Sequence, residues 1–396
     1  MTTLAMALLP ALLPIEPLRA QSPTQEQDVQ RLSRACNQFG ERLYAELEKG
    51  GNPTCSPASI ASALLMLLPG ARNETADELA TALQLPKDLR GERLLKALVE
   101  LMPEAEGTLR VRNDVWLQQG FELVPAYTDL LSKTLHVEPR TVDFAGATET
   151  ARVAINRYIA DVTNDRVQEL LQRTDIDAST STVLTNAIWF KAAWRNAFQK
   201  RATKPAPFHL ADGSETEVPM MSQTKRHRYA ATDAWRCVEM QFGDAPLRFE
   251  AIVPEPGQTL ADARSALLAG THLDKLADDV VHVRMPSFRI KARHSLQPAL
   301  EALGMRRAFG ASADFTNMDA SGRAHVGAVL HETWIQVDEE GCEAAAATAV
   351  VMKRAGARRP VKVQEITFDR PFVFGLRDAK TGLLWFVGQV DDPRAK

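Results

Sequence analysis

The segment from Gly341 to Ala349 constrains the fold more than any other part of the chain, because nearly every residue in it is small. Only Glu343 interrupts the run, and bulk and charge return at Met352 and Lys353. An ordinary helix built from this segment would have little to bury, since it lacks a bulky apolar face. With the period of two of a strand, one face is small and nearly uncharged, formed by Cys342, Ala344, Ala346, Thr348, Val350 and Met352. The pattern therefore predicts a segment that can enter a crowded sheet without burying a charge.

The composition is that of a globular protein with no strong charge bias. The chain has 396 residues, of which 45% are hydrophobic and 24% charged, and its net charge is −3. We expect no nucleic-acid partner, because the basic clusters Lys225–Arg228 and Arg358–Arg359 are short. The first cluster is interpreted as a solvated loop, with a polyanion or partner contact as the alternative. Length alone suggests two or three domains, at about 150 residues each.

Residues 1–20 contain an apolar run from Leu4 to about Leu13 that is too short to cross a bilayer. The run resembles a secretory signal, with cleavage near Ala20–Gln21, and it predicts a secreted or periplasmic protein. The alternative is a disordered N-terminus on a cytoplasmic protein. No other stretch is apolar enough to span a membrane, so we expect no membrane partner.

The four cysteines are too widely spaced for a zinc site or for the disulfide framework of a small domain. Cys36 and Cys55 lie in apolar sequence and are expected to be buried thiols. Cys342 is interpreted as one more small residue of the tract, with a redox switch as the alternative.

Helical patterns cluster early in the chain and strand patterns late, which predicts a mixed α+β fold rather than alternating βαβ units. Ser56 and Pro57 are a cap and a first-turn residue for a helix that is apolar nearly all round. The predicted helices are 28–48, 57–68, 75–83, 89–101, 125–135, 148–171 with a break near Asp165, and 296–303. The predicted strands are 110–117, 182–190, 217–221, 237–241, 249–253, 280–286, 328–337, 367–376 and 383–390.

A search for catalytic motifs finds no nucleophile elbow, no zinc-protease helix and no phosphate-binding loop. None of the eight histidines has a histidine partner four residues away that would suggest a helical metal site. His331 lies within an apolar strand pattern, which favours a buried, hydrogen-bonded histidine over a ligand or base. We therefore expect no enzymatic activity, no metal and no cofactor.

Several motifs, in order and at suitable spacing, resemble the serpin family of serine protease inhibitors over residues 28–393. They are Asn52–Leu83, Asn113–Leu117 with Gly120 and Pro125, Thr185–Lys191 with Trp194, Met285–Phe288, Asp314-Phe315, the loop 339–359, Phe368–Phe372, and Phe386–Val390 with Pro393. Each motif is weak by itself, but together they cover most of the chain. The resemblance is to a bacterial-type serpin with the hinge of an inhibitor.

The resemblance implies one domain over 28–393, which replaces the estimate of two or three from length, and a monomer. It implies eight or nine helices, three β-sheets and an exposed reactive-centre loop at about 339–360. In this family a protease attacks a bond in the loop and becomes acylated. The upstream half of the loop then inserts into the central sheet as a new strand. The native state is accordingly a kinetic trap.

The resemblance also assigns roles to individual residues. The hinge of the loop comprises Glu339, Gly341, Cys342, Glu343, Ala344, Ala345, Ala346, Ala347 and Thr348. Ser56, Ser59, Asn186 and His331 match the buried polar cluster called the shutter, and Trp194 with Glu339 matches the breach, where the loop first enters. The usual lysine partner of Glu339 is replaced by Ser287, so Arg284 or Arg289 is expected to substitute.

The attacked bond is expected near residue 355. Counting seventeen residues from Glu339, the usual family spacing, gives Ala355 followed by Gly356, which suits elastase-like proteases. A loop one residue shorter gives Arg354–Ala355, which suits trypsin-like proteases. Met352, Lys353 and Arg358 are further alternatives, whereas Pro360 disfavours attack after Arg359.

These features predict a suicide-substrate inhibitor of serine endopeptidases, with cysteine endopeptidases as a second target class. The alternative is a non-inhibitory serpin that acts as a carrier or interaction protein. The small hinge residues favour the inhibitor, because the hinges of non-inhibitory relatives tend to carry bulky or charged residues.

Overall fold

The computed structural model describes residues 23–48, 50–102, 109–243, 245–342 and 362–395. The expected signal segment 1–20, the hinge residues Glu343–Thr348 and all candidate attacked bonds from Met352 to Arg358 lie outside the described residues. Glu339, Gly341 and Cys342, which begin the hinge, lie within them.

Eight α-helices form within the described part of the chain, which agrees with the expected eight or nine. The helices are α1 (Pro23–Leu47), α2 (Pro57–Leu67), α3 (Asn73–Ala82), α4 (Gly91–Leu101), α5 (Pro125–Thr134), α6 (Phe144–Val162), α7 (Leu260–Ala269) and α8 (Gln297–Ala302).

Sixteen strands are present in the same residues, most of them in the second half, and the α+β class is confirmed. The first eight are β1 (Thr54–Cys55), β2 (Leu109–Gln118), β3 (Arg140–Val142), β4 (Thr182–Phe190), β5 (Ala192–Ala193), β6 (Lys204–His209), β7 (Glu215–Ala231) and β8 (Trp235–Gln241). The others are β9 (Leu247–Pro254), β10 (Ala277–Pro286), β11 (Phe288–Ser295), β12 (Val326–Val337), β13 (Gly341–Cys342), β14 (Gln364–Thr367), β15 (Phe372–Asp378) and β16 (Leu384–Val390).

The central sheet has β4 and β12 side by side in its middle. These two strands run parallel, from Thr182 beside Val326 to Trp189 beside Trp334. Strand β2 is antiparallel to β4 on one side, and β11 is antiparallel to β12 on the other. We call the paired strands β4 and β12 the seam, because a strand that enters the middle of this sheet has to separate them.

The remaining strands form a second hydrogen-bonded network in the order β1-β16-β15-β9-β8-β7-β10-β14, with β6 also paired to β7. Strand β7 is 17 residues long and pairs with β6 over Glu215–Met220, with β10 over Met220–Tyr229 and with β8 over Arg228–Ala231. Three sheets were expected, but strand pairing gives two networks. Two of the expected sheets are joined in the larger network because β7 pairs with strands of both.

Each face of the central sheet is covered by a helix. Helix α2 lies on the inner face, against β2, β4 and β16, and all eleven of its residues are buried. Its start follows the expectation, because the Ser56 Oγ accepts a hydrogen bond from the Ser59 N–H at 3.2 Å and Pro57 occupies the first turn. Helix α6 covers the outer face and buries Ile155 and Ile159 against the sheet.

Two predicted boundaries are wrong for identifiable reasons. Helix α6 ends at Val162 and no helix follows, because Asn164 and Asp165 have φ values of 50° and 60°. The predicted strand 367–376 is two strands, β14 and β15, interrupted before Phe372 where Pro371 has no N–H to donate. The sequence patterns do not predict helix α7 or strands β3, β6 and β11. None of the helices in the described ranges is long and apolar enough to cross a membrane.

Candidate functional site

The seam opens at its upper end, where the hinge begins. Trp189 and Trp334 form the last paired row of β4 and β12. Beyond this row, β13 lies between the two sides, with Cys342 opposite both Val337 and Ala192. We call this point the fork. The first two residues of the small-residue tract therefore already occupy the gap between the central strands.

Gly341 and Cys342 suit this position for different reasons. Gly341 has a φ of +151°, and a Cβ atom there would collide with the backbone carbonyl of Ala192. Only glycine can adopt this φ and approach the Ala192 carbonyl this closely without strain. Cys342 is fully buried on the inner face, and burial raises the pKa of its thiol well above the ordinary value. The thiol thus stays protonated, consistent with its interpretation as a small core residue.

Trp194, expected at the breach, holds the chain just before the hinge. Its Nε1 donates to the Asp338 carbonyl at 2.8 Å, and its backbone N–H donates to the Glu340 carbonyl at 2.9 Å. The indole is stacked on Phe242 with 4.5 Å between the ring centroids. These contacts fix the backbone of residues 338–340 against the upper end of β4.

The partner of Glu339 differs from the expectation. Its carboxylate accepts a hydrogen bond from the Thr203 hydroxyl at 2.6 Å, and the neighbouring Glu340 forms an ion pair with Lys200 at 2.7 Å. The expected substitution by Arg284 or Arg289 is wrong, since the Arg289 guanidinium instead donates to the Gln336 side chain at 2.8 Å. A residue after β5 thus supplies the contact, and sequence spacing gave no signal for it.

The four expected shutter residues come together at the middle of the seam. Asn186 and His331 are opposite each other on β4 and β12, and both are fully buried, as are Ser56, which caps α2, and Ser59 in its first turn. The Ser56 backbone N–H donates to His331 Nε2 at 3.0 Å, while His331 Nδ1 contacts the side-chain oxygen Oδ1 of Asn186. The cluster therefore joins both seam strands to the helix beneath them.

Two further residues that were not expected in this cluster, Asn113 and Ser62, complete it. Asn186 Nδ2 donates to Ser59 O at 3.1 Å and also contacts Asn113 Oδ1 on β2. Asn113 Nδ2 in turn donates to the Ser62 hydroxyl at 2.6 Å. Ser62 could have been predicted from the sequence, because Ser56, Ser59 and Ser62 recur every three residues along an otherwise apolar helix and so lie on one face.

These partners require a neutral His331. Its Nε2 accepts from a backbone N–H, so the ring proton resides on Nδ1, where it is donated to Asn186. Burial lowers the pKa of His331 well below its ordinary value, and nearby His294 contributes in the same direction. His294 on β11 is stacked on His331 with 6.3 Å between centroids. The cluster is thus a network of neutral hydrogen bonds that can exchange partners without moving a charge.

Comparison with known proteins identifies the family. A family model described as Serpin (serine protease inhibitor) matches residues 34–393. The chain belongs to the serpin family. It is 32% identical over 375 residues to Iris of Ixodes ricinus, which covers 91% of this chain and 98% of that protein. It is 30% identical over 384 residues to the leukocyte elastase inhibitor of Bos taurus, covering 92% of this chain and 100% of the relative.

Solved serpin structures share the fold. Human thyroxine-binding globulin superposes with a TM-score of 0.83 at 23% identity, covering 93% of this chain and 100% of that chain. Membership of the family, with relatives named as inhibitors, supports protease inhibition in general. The description of the family refers to inhibition of proteases and not to catalysis. Within the residues that the structure describes, no group of three or more potential metal ligands is found.

Proposed function

We propose that this serpin is a suicide-substrate inhibitor of serine endopeptidases, acting by cleavage and insertion of its reactive-centre loop. The observation that carries the proposal is β13, whose Gly341 and Cys342 already pair with both sides of the fork. The residues that follow are Ala- and Thr-rich and would extend the same strand downward. A loop that begins as a strand at the fork needs only to separate the seam to continue inward.

The chemistry uses the protease's own nucleophile. The protease serine Oγ attacks the carbonyl carbon of Ala355, the bond to Gly356 breaks, and the Gly356 nitrogen leaves as an amine with the serine proton. The acyl group remains joined to the protease as an ester. Insertion before hydrolysis carries the protease away. A strand of about 15 residues at about 3.3 Å each spans roughly 50 Å.

The pairing register of β13 supports this insertion. Continuing the pairs of Cys342 with Val337 and Ala192 by two residues brings Ala344 between Ile335 and Phe190, on the inner face. Both neighbours are buried, with Ile335 and Phe190 each at 0% exposure. A small side chain is required there, because a packed core accepts little additional volume.

The same register brings Thr348 between His331 and Asn186. Insertion separates these two residues and breaks their hydrogen bond. The Thr348 hydroxyl can both donate and accept, so it can replace the lost contact on either side. Thr348 can therefore serve as a new hydrogen-bond partner for the shutter residues, so that insertion leaves no buried polar atom of this pair unbonded.

The one charge in the tract Gly341–Ala349, Glu343, falls on the other face. In this register Glu343 lies between Gln336 and Lys191, and side chains at odd positions point away from the inner core. An ammonium beside the carboxylate compensates part of its desolvation. The period of two in the sequence and the register at the fork therefore assign the same residues to each face.

The target class depends on the bond that is cut. Ala355–Gly356 suits elastase-like enzymes, and Arg354–Ala355 suits trypsin-like enzymes. We favour the first on loop length. Mass spectrometry of the peptide released by elastase and by trypsin reads the bond directly, and release only after Met352, Lys353 or Arg358 would exclude both.

The decisive experiment mixes the protein with elastase and, separately, with trypsin, followed by denaturing electrophoresis. A band at the summed mass that resists boiling is expected, and the same enzymes with the active serine blocked are the control. Absence of the band with every serine protease screened would exclude the inhibitor. A nicked protein whose melting temperature does not rise would then favour the carrier alternative.

We propose further that the protein acts as a monomer in the extracellular space or periplasm. The apolar run near the N-terminus supports export. N-terminal sequencing of the protein recovered from the periplasm or culture medium is expected to begin at Gln21. An intact Met1 on protein recovered from the cytoplasm would contradict export.

A further inference from the structure

Arg166 lies over the last paired row of the seam. Its guanidinium carbon is 4.6 Å from the centroid of the Trp189 ring and 5.9 Å from that of Trp334. Both distances are within the roughly 6 Å at which a cation is attracted to an aromatic face. Trp189 belongs to β4 and Trp334 to β12, so one cation contacts both sides of the seam.

This row is the first that insertion must open. Trp189 and Trp334 are opposite each other immediately below the fork, and the strands above them are already separated by β13. A further residue of an inserting strand moves the two indoles apart by about 4.8 Å, the spacing of neighbouring strands. The shared contact with Arg166 exists in this form only while the row is closed.

Two other arginines contact these rings, but each contacts only one of them. Arg110 on β2 lies 5.6 Å from the Trp189 centroid, and Arg289 on β11 lies 5.8 Å from the Trp334 centroid. Each belongs to the strand that flanks its own tryptophan and can move with it. Of these three arginines, only Arg166 contacts the rings of both seam strands.

The backbone around Arg166 directs the side chain to this position. Helix α6 ends at Val162, and Asn164 and Asp165 adopt positive φ values that turn the chain back towards the sheet. Arg166 Nη1 donates to the Asn164 carbonyl at 3.3 Å, and the next residue, Val167, is buried against the outer face. Arg166 therefore couples the end of α6 to the fork.

We propose that Arg166 is a positioning residue that holds the seam closed at the fork and so sets the rate at which the sheet opens. Its effect on inhibition rests on the proposed function, whereas the closure itself is a property of the uncleaved protein. Loss of the contact is expected to speed opening of the upper seam by about two- to thirty-fold, the factor that corresponds to a cation–π interaction.

The test is hydrogen–deuterium exchange of the intact, uncleaved protein. Arg166→Met keeps the aliphatic length and removes the cation, while Arg166→Lys retains a cation. Faster exchange is expected in Arg166→Met at the rows next to the fork, around Ile188–Trp189 and Thr333–Trp334, with partial rescue in Arg166→Lys. Arg110→Met and Arg289→Met are matched controls, and each should leave the seam rows close to wild type.

Unchanged exchange at the fork in Arg166→Met would overturn the proposal, as would uniform acceleration over the whole protein, which indicates general destabilisation. If Arg166→Met does not fold, Trp334→Leu provides a second variant. This variant removes the Trp334 ring that Arg166 contacts, so exchange at the rows next to the fork should again be faster than in wild type. In the double variant Trp334→Leu/Arg166→Lys, exchange should change little further, because the shared contact is already lost.

The link to inhibition is measured separately. Arg166→Met is expected to form the covalent protease complex about two- to thirty-fold faster than wild type, with Arg166→Lys in between. If wild type forms no complex, the proposed function fails, whereas the exchange pattern still decides whether Arg166 closes the fork. Faster exchange with an unchanged rate of complex formation would overturn the claim that this row limits opening.

Discussion

The seam is held in two different ways at two different places. At the shutter, Asn186 and His331 face the inner core and are joined by neutral hydrogen bonds to α2. Three rows higher, immediately below the fork, Trp189 and Trp334 face outward beneath Arg166. Hydrogen bonds can be exchanged for those of an incoming hydroxyl, whereas a bridging cation must leave. We therefore expect the contact below the fork to limit the rate at which the sheet opens. We expect the shutter to determine whether the inserted strand can form new hydrogen bonds with β4 and β12.

The largest expected effect distinguishes the inner from the outer face of the inserting strand. Ala344→Asp would place a carboxylate between Ile335 and Phe190, at a cost of several kcal/mol, and should convert the inhibitor into a substrate. Ala345→Asp is the matched control, because the register directs it to the outer face beside Arg166 and it should retain most inhibition. The ratio of complex to cleaved protein on a denaturing gel measures both.

Equal loss of inhibition in the two variants would show that the register at the fork does not continue downward.

A second prediction concerns the start of β13. Gly341→Ala combines an unfavourable positive φ with a collision against Ala192, so it should lower the free energy of unfolding by about 1–3 kcal/mol or displace β13 from the fork. Gly213→Ala is the control, since Gly213 has a φ of +83° with nothing within 4 Å of the added Cβ. Urea unfolding measures both. A smaller loss in Gly341→Ala than in Gly213→Ala would contradict the tight fit.

A third prediction uses pH to weaken the shutter while leaving the fork intact. Burial lowers the pKa of His294 and His331, and it lowers the pKa of His227 to about 4. These groups bind fewer protons when folded, so stability should be constant above about pH 6.5 and fall as the pH drops below it. Each such histidine contributes a slope of up to about 1.4 kcal/mol per pH unit.

The midpoint of urea unfolding between pH 7 and pH 4 measures this slope. His294→Gln removes one titrating ring beside His331 and can retain a donor to the Thr54 carbonyl, which His294 Nε2 contacts at 2.9 Å. The stability of this variant should fall less steeply with decreasing pH than that of wild type. An identical pH dependence would contradict a lowered pKa of His294 in the folded protein. Arg293, which also disfavours the charged form of His294, is unchanged in this variant.

The smallest expected effect is at the breach. Thr203→Val removes the hydroxyl that donates to Glu339 and should cost about 1 kcal/mol of stability, the usual net value of a hydrogen bond. Lys200→Met breaks the exposed pair with Glu340 and should have almost no effect, because solvent screens that pair. Thermal unfolding of the two variants measures both effects. A larger loss of stability in Lys200→Met than in Thr203→Val would contradict the prediction.

Local sequence patterns predicted most of the elements at the site. The strands that carry Asn186 and His331, and the capped helix that carries Ser56 and Ser59, were found from periodicity and cap chemistry, which act over a few residues. The resemblance then supplied the grouping of these residues, which form hydrogen bonds with one another in the structure. No sequence pattern predicts the Thr203 contact with Glu339, because that contact depends on how the segment after β5 turns.

By itself, the sequence determined that residues 341–349 are compatible with a strand and that their inner face is small, because side-chain direction alternates along any extended chain. The tertiary structure decided where that strand begins, which residues would flank it, and that Arg166 lies across the row below. Those facts depend on contacts between residues far apart in the chain, whose geometry is set by the register of the sheet and the end of α6.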